Sequence, residues 1–196
     1  MYGFEVDGGF TFYKFRNFDG SESLTDGHLR WFWEIMGKAG QLPVIFYDGT
    51  IESFCDFRKL VRREDQHFFF GFKDQQPAGL FWLNGFSPKS CFVHIAIMPG
   101  FHGKGTLQMG RGVLRHLLSA TDVVGEYIFD CIKGLIPMIN QLACRMAERS
   151  GFRRAGILPQ AAYLAAEDKS VDAAIFCAVR NNEGNVPVTQ ISKQGE

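Results

Sequence analysis

Residues 91–118 read Cys-Phe-Val-His-Ile-Ala-Ile-Met (91–98), Pro-Gly-Phe-His-Gly-Lys-Gly-Thr (99–106) and Leu-Gln-Met-Gly-Arg-Gly-Val-Leu-Arg-His-Leu-Leu (107–118). The first block is a near-continuous apolar run, the pattern of a central strand covered on both faces. The last block repeats apolar residues at helical spacing, with Leu107, Gly110, Leu114 and Leu117 expected to face inward. The glycine-rich turn between them frees backbone N–H groups at a helix start, where the helix dipole favours an anion. Gly103 and Gly105 allow phosphate oxygens to approach the backbone closely, and Lys104 adds a positive charge. Arg111 and Arg115, farther along the helix, point to a more distant phosphate. The turn lacks the frame and terminal Lys-Ser/Thr of a Walker A loop. It also lacks the third glycine of the dinucleotide fingerprint, and a β-meander precedes it. Taken alone, it reads equally well as a plain connection between two elements.

Working outward, Phe10–Phe15 alternates as a strand, and Leu24–Met36 carries helical spacing with Ser21 or Ser23 as its cap. Residues 44–47 read as a short apolar strand. Thr50 is expected to cap a helix reaching Val61. His67–Phe72 and Ala78–Leu83 form a hairpin around residues 73–77. After the central segment, Tyr127–Ile132 reads as a strand. A helix is expected from Pro137 to about Ser150, with Ile139, Leu142, Ala143 and Met146 inward and Gly151 as its stop. Two further strands fall near residues 161–165 and 173–179. This order gives an α/β (α+β) fold, a mixed sheet with helices on both faces. Residues 1–180 form a single domain in this reading, and the polar stretch 181–196 reads as a loose tail.

Composition narrows the function classes. Lys+Arg and Asp+Glu number 21 each, which removes the broad basic field of a dedicated nucleic-acid binder. The five cysteines are scattered, with no CxxC pair, so neither a zinc site nor a disulfide framework is indicated. The first residues lack the basic start and apolar run of a signal peptide, and no apolar stretch is long enough to span a membrane. A cytoplasmic location is the resulting expectation.

A second segment adds to the central one. Residues 136–152 contain Asn140, Ala143 and the closing Gly151-Phe152, followed by Arg153-Arg154-Ala155-Gly156. Together with the strand ending at Pro99 and its glycine turn, this pattern resembles the GNAT superfamily of acyl-CoA-dependent N-acyltransferases. The resemblance covers roughly residues 65–180. The wording of residues 94–99, with the Asn-to-Gly-Phe helix, looks most like GNAT proteins of phages and prophages. It implies a mostly antiparallel sheet whose central strands splay, with the pantetheine arm of acetyl-CoA, or another acyl-CoA, lying in the gap. Mapped by the resemblance, the edge that pairs with the arm is Ile95 to Ile97, and the parting strand is Tyr127–Ile132. The pyrophosphate would rest on the amides of His102, Gly103, Lys104, Gly105, Thr106 and Leu107, and Asn140 would contact the cofactor. The family's activity implies an amine acceptor, with no metal, nucleic acid or membrane, and leaves a homodimer open. Three positions depart from the family pattern: His102 replaces Arg or Gln, Leu107 replaces a small residue, and Ala147 stands where many members carry a general-acid tyrosine.

Transfer to an amine needs a neutral amine, a polarised thioester carbonyl and a released thiolate. His94, a titratable group within an apolar strand, is the candidate base, expected to titrate near neutral pH, with a core histidine as the alternative. Tyr163 is the candidate acid, with packing as its alternative. A backbone N–H near Ile97 would polarise the carbonyl. Cys144 as nucleophile, and Asp130 or Asp172 as acceptor anchors, are weaker than their structural readings. The aromatic group Trp31, Phe32, Trp33, Tyr47 and Trp82 suits either the core or an acceptor pocket. The competing function is a GNAT-fold interaction module without catalysis, for example in phage assembly or host interaction, favoured by Leu107 and Ala147.

Overall fold

The computed structural model describes residues 3–18 and 21–180. The elements run β1 (Gly3–Val6), β2 (Phe10–Lys14), β3 (Asn17–Phe18), β4 (Ser21–Glu22), α1 (Asp26–Lys38), α2 (Leu42–Ile45), α3 (Phe54–Val61), β5 (His67–Lys73), β6 (Gln76–Ser87), β7 (Ser90–Ile97), α4 (Lys104–Ser119), β8 (Cys131–Pro137), α5 (Gln141–Ser150), β9 (Arg153–Leu164) and β10 (Lys169–Val179), with a 3-10 turn at Ala165–Glu167. Eight strands form one sheet in the order β1-β2-β5-β6-β7-β8-β10-β9, and β3 and β4 form a separate ribbon. Every neighbouring pair in the large sheet is antiparallel except β7 and β8. Among the described residues, no helix is long and apolar enough to cross a membrane. Residues 181–196, read from sequence as a loose tail, lie outside the described residues.

Helices cover both faces, as expected. On one face α4 and α5 close over Phe10, Phe12, Phe81, Val93, Ile132 and Phe176. On the other, α1, α2 and α3 close over Phe68, Phe70, Leu80, Trp82, Ala96 and Met98. The phenylalanines that load the sequence interlock across the strands: Phe69 and Phe81 stack at 4.5 Å, Phe12 meets Phe81 edge-on at 5.2 Å, and Phe32 meets Phe70 edge-on at 5.0 Å.

Several local expectations are corrected. Thr25, not Ser21 or Ser23, caps α1, and His28 returns the bond to the Thr25 amide in a capping box. Residues 44–47 do not form a strand. Pro43 sits at the start of the short helix α2, where its missing N–H costs nothing, and the amides of Val44 and Ile45 both donate to Gln41. Ser53 caps α3, because the Thr50 hydroxyl donates instead to Asp48. Tyr127–Ile132 is not the parting strand. Tyr127 makes only an isolated bridge to Thr121, and the Arg180 guanidinium lies 3.9 Å over its ring. The Asp130 amide is diverted to the Lys89 carbonyl, so the strand begins at Cys131. Pro137 ends β8 instead of opening a helix. Asn140 then caps α5, with Oδ1 accepting from the Ala143 amide. Ile139 and Leu142 therefore face solvent, while Cys144 and Ser150 are buried.

The close spacing of β2 and β5 depends on a bare backbone. A Cβ on Gly71 would lie 2.5 Å from a ring carbon of Phe12, its cross-strand partner. Phe12 is packed on all sides and cannot retreat. Gly71→Ala is expected to lower unfolding free energy by about 1–3 kcal/mol, read as an earlier urea midpoint with an unchanged slope.

Candidate active site

β7 and β8 are in register only at Ser90–Phe92 with Cys131–Lys133. Beyond that the two strands separate, although each stays paired along its outer side, β7 with β6 and β8 with β10. The gap is a cleft of about 170 Å³. Val93, His94 and Ile95 line one wall, Gly134–Pro137 the other, with Asn140, Ala143 and Ala147 of α5 along it.

Hydrogen-bond parity decides which backbone groups face the gap. The Met98 amide donates to Ala78, so even-numbered residues of β7 bond to β6. The N–H and C=O groups of Val93, Ile95 and Ile97 consequently turn toward β8. The expected edge at Ile95 to Ile97 is thus present, with one correction: the Ile97 carbonyl is occupied, accepting from Gln41 Nε2 at 2.9 Å. Sequence reasoning missed Gln41 because an isolated glutamine before Leu-Pro carries no local signal. Its amide pins the end of β7 where the strands are farthest apart.

At that open end the chain enters α4. Gly103 is the N-cap, with φ 110° and ψ −139°, a conformation that favours glycine, and no side chain caps the helix. The Thr106 hydroxyl is turned away, donating to the Phe101 carbonyl at 2.7 Å. Among the described residues nothing caps the first-turn amides, which lie at the positive end of a 16-residue helix. The helix starts at Lys104, three residues earlier than the sequence suggested, and the Lys104 side chain lies outside the described residues. Leu107 is half-buried on α4 and is not part of the cleft lining, so it does not plug the groove. Arg111 and Arg115 are engaged elsewhere: Arg111 Nε donates to the Arg149 carbonyl, and Arg115 pairs with Asp7. A cation that sequence reasoning missed stands nearer. Lys73 Nζ is 4.9 Å over the Phe10 ring, whose tip is 3.5 Å from the place a Gly105 Cβ would take. Only the fold brings the β5–β6 turn beside α4.

The other mouth of the cleft is formed by Val44, Ile45, Tyr47 and Trp82, with His94 on the same face of the sheet. Trp82 stacks on Phe68 at 5.2 Å and on His94 at 4.6 Å, so of the aromatic group it serves core and cleft together. Phe32 is pure core, and Trp33 stacks on Phe57. His94 Nε2 lies 3.1 Å from Asn84 Oδ1. With that oxygen accepting, the ring proton is on Nε2 and Nδ1 keeps its lone pair. Burial pushes the imidazole down to about 4, against a weaker upward pull from Asp48. His94 is therefore neutral at physiological pH and does not titrate near 7, which corrects the expectation. Tyr163 is also corrected: it sits half-exposed on the outermost strand, donating to Asp168 at 2.7 Å, and does not line the cleft. Tyr47, half-buried and with its phenol held above the usual value chiefly by burial, is the tyrosine the fold brings to this mouth. Cys144 is buried with its thiol pushed up by burial, Asp130 pairs with Arg180, and Asp172 accepts from the Gln160 amide. Among the described residues, no group of His, Cys, Asp and Glu is arranged to hold a metal ion.

A mostly antiparallel sheet broken by one splayed parallel pair, with a bare helix start at its open end, is the GNAT acetyltransferase fold. A ribosomal L7/L12 α-N-protein acetyltransferase, RimL, superposes with a TM-score of 0.71 at 17% identity, over 91% of this chain and 94% of that one. The spermidine N-acetyltransferase of Vibrio cholerae, in complex with CoA and spermine, gives 0.64 at 18%, over 88% and 96%. The microcin C7 self-immunity acetyltransferase MccE, in complex with acetyl-CoA and AMP, gives 0.69 at 14%, over 90% and 96%. No protein-family model matches this sequence, and no curated protein matches it.

The depressed histidine makes a stability prediction. Below the ordinary histidine range near 6.5 the unfolded chain takes up a proton that folded His94 refuses, so stability is full above that range and is lost as pH falls toward 4. His67 and His116 are lowered too and contribute the same sign. The specific expectation is thus a difference: His94→Gln flattens the fall in melting temperature between pH 6.5 and 4 relative to the unaltered chain, removing up to about 3 kcal/mol of pH dependence.

Proposed function

We propose that this chain is an acyl-CoA-dependent N-acyltransferase that transfers an acetyl or related short acyl group to an amine. The observation that carries the reading is the coincidence of two unsatisfied backbone surfaces, the bare first turn of α4 and the inner edge of β7, one turn of chain apart. The first suits a diphosphate. The second suits an extended chain bearing amides, which adds to a free strand edge. Coenzyme A has both. Asn140, whose Oδ1 caps α5, keeps its amide N–H groups for the arm on the opposite wall.

In this reading the amine enters between Tyr47 and Trp82 and attacks the thioester carbon. The carbonyl oxygen takes up negative charge beside a β7 amide, of which Ile97 N–H is the candidate. Nitrogen gives up its proton to solvent water, the C–S bond breaks, and the thiolate leaves. Neutral His94, with Nδ1 unprotonated, orients and accepts from the attacking amine. An imidazole whose conjugate acid is pushed down to about 4 is too weak to deprotonate an ammonium, so the acceptor must arrive neutral. Ala147 supplies no hydroxyl on α5, and the thiolate then takes its proton from solvent or from Tyr47. Most of the acceleration comes from holding two reactants in line. The inactive interaction module is the second reading, favoured by Ala147.

Gly105→Glu separates the two. Gly105 has no left-handed backbone and its Cβ would make only ordinary contact with Phe10, while a first-turn carboxylate agrees with the helix dipole. The variant is expected to fold as well as its parent and to bind acetyl-CoA at least 100-fold more weakly by calorimetry. Equal affinity would refute the assignment of the α4 turn, and no acetyl-CoA binding by the parent at millimolar concentration would favour the module. For turnover, His94→Ala is expected to lower kcat by 10–100-fold, with the rising limb of kcat/KM against pH following the pKa of each amine tested. A limb fixed near 6.5 for all amines would return His94 to the role of an ordinary base.

A further inference from the structure

A strap of chain builds the acceptor mouth. Residues 41–50 are tied at one end to β7, where Gln41 Nε2 donates to the Ile97 carbonyl. At the other end they are tied to the turn after β9, where the Ala165 amide donates to the Tyr47 carbonyl at 2.8 Å. The strap therefore crosses the gap between β7 and β8, and it lends Val44, Ile45 and Tyr47 to the cleft lining beside Trp82 and His94. Val44 is 57% exposed and His94 half-buried, so the mouth is open to an incoming molecule.

The chemistry of that mouth is narrow. Among the described residues, no aspartate, glutamate, lysine or arginine lines the cleft. Asp48, the carboxylate that acts on His94, is exposed, and its Oδ1 accepts from both the amide and the hydroxyl of Thr50. A polyamine or a basic side chain would find nothing there to replace the water around its charge. Three partners remain. His94 Nδ1 keeps its lone pair, so it calls for a neutral N–H. The Tyr47 hydroxyl has no hydrogen-bond partner, and its ring no aromatic neighbour, among the described residues. Burial keeps that phenol protonated, so it donates and calls for an uncharged acceptor. Val44 and Ile45 call for an apolar group. An α-amine next to an amide carbonyl meets the first two demands together. Its ordinary pKa is about 7.7–8.0, against about 10.4 for a lysine-type amine, so at pH 7 its neutral form is roughly 300-fold more abundant.

Resting on the acyl-CoA reading above, we propose that the acceptor is the α-amine of a large apolar amino-acid residue whose carboxyl group is in amide linkage, supplied as a small amide or as the first residue of a peptide. The amine N–H donates to His94 Nδ1, the neighbouring carbonyl accepts from the Tyr47 hydroxyl, and the side chain lies against Val44 and Ile45. In the transfer the N–C bond forms as the C–S bond breaks, and the surplus proton on nitrogen passes to solvent water.

The test measures thiol release by the full chain at saturating acetyl-CoA, beside calorimetric binding of acetyl-CoA. Phenylalaninamide is expected to give a kcat/KM at least about 10-fold above alaninamide, free phenylalanine and lysinamide, which read in turn the apolar contact, the excluded carboxylate and the excluded cation. Tyr47→Phe is expected to lower the ratio of phenylalaninamide to phenethylamine turnover at least about 5-fold, the worth of one hydrogen bond. Amine basicity and any effect on thiolate release cancel in that ratio. Val44→Glu, at an exposed position, is expected to raise lysinamide relative to phenylalaninamide at least about 10-fold, with acetyl-CoA affinity unchanged within about 2-fold. A phenylalanyl dipeptide amide used as well as phenylalaninamide assigns a peptide N-terminus, and a large loss assigns the small amide; either supports the class. Lysinamide or spermidine used as well as phenylalaninamide, or a ratio that Tyr47→Phe does not move, would overturn the acceptor assignment and leave the acyltransferase reading standing. Failure of acetyl-CoA to bind would overturn the acyltransferase reading itself.

Discussion

Backbone amide and carbonyl groups in a protein interior have to be paired, and the separation of β7 from β8 leaves a row of them facing a gap. The fold can tolerate this because each strand is fully laddered on its other side, β7 to β6 and β8 to β10, so the loss is confined to the inner edges. The gap is held at its open end on both walls. Gln41 holds the Ile97 carbonyl from the α2 side, and Asn140 fixes the start of α5 over the end of β8. Two helix layers then roof the sheet on either face, so the cleft runs through the sheet from one layer to the other. In the proposed chemistry this gives the acyl donor and the acceptor separate entrances that meet at the strand edge.

The acceptor half is governed by desolvation. His94 is clamped between the Trp82 ring and the Asn84 amide within an apolar strand, and the low dielectric keeps it neutral. A neutral imidazole in that setting is a hydrogen-bonding surface with a fixed tautomer. The donor half is governed by dipoles. In the proposed chemistry the α4 turn draws an anion through its oriented peptide groups, with the Lys73 ammonium beside it over the Phe10 ring.

Much of the architecture was legible because it rests on periodicity. The apolar run at 91–98 marked the central strand, the glycine turn after it marked a helix to follow though not where it begins, and Gly151 ended α5 in the left-handed conformation that glycine permits. What the sequence hid were competitions settled by tertiary contact. Tyr127 and Ile128 have strand-forming side chains, yet Arg180, arriving from the far end of the domain, claims the Tyr127 ring and Asp130. Pro43 converts an apolar tetrapeptide into a helical turn. The site was legible in its backbone part and obscure in its side chains. His94 was a candidate from its place in an apolar strand and Asn140 only through the family resemblance, whereas Gln41, Asn84 and Lys73 come from separate parts of the chain with no shared spacing.

Amide hydrogen–deuterium exchange with and without acetyl-CoA bears most directly on the central claim, because it reads the backbone groups themselves. Slowed exchange at the first turn of α4 and along residues 93–97 of β7, with the outer ladders unchanged, is the expected result. Unchanged exchange in both segments at saturating cofactor would contradict the account.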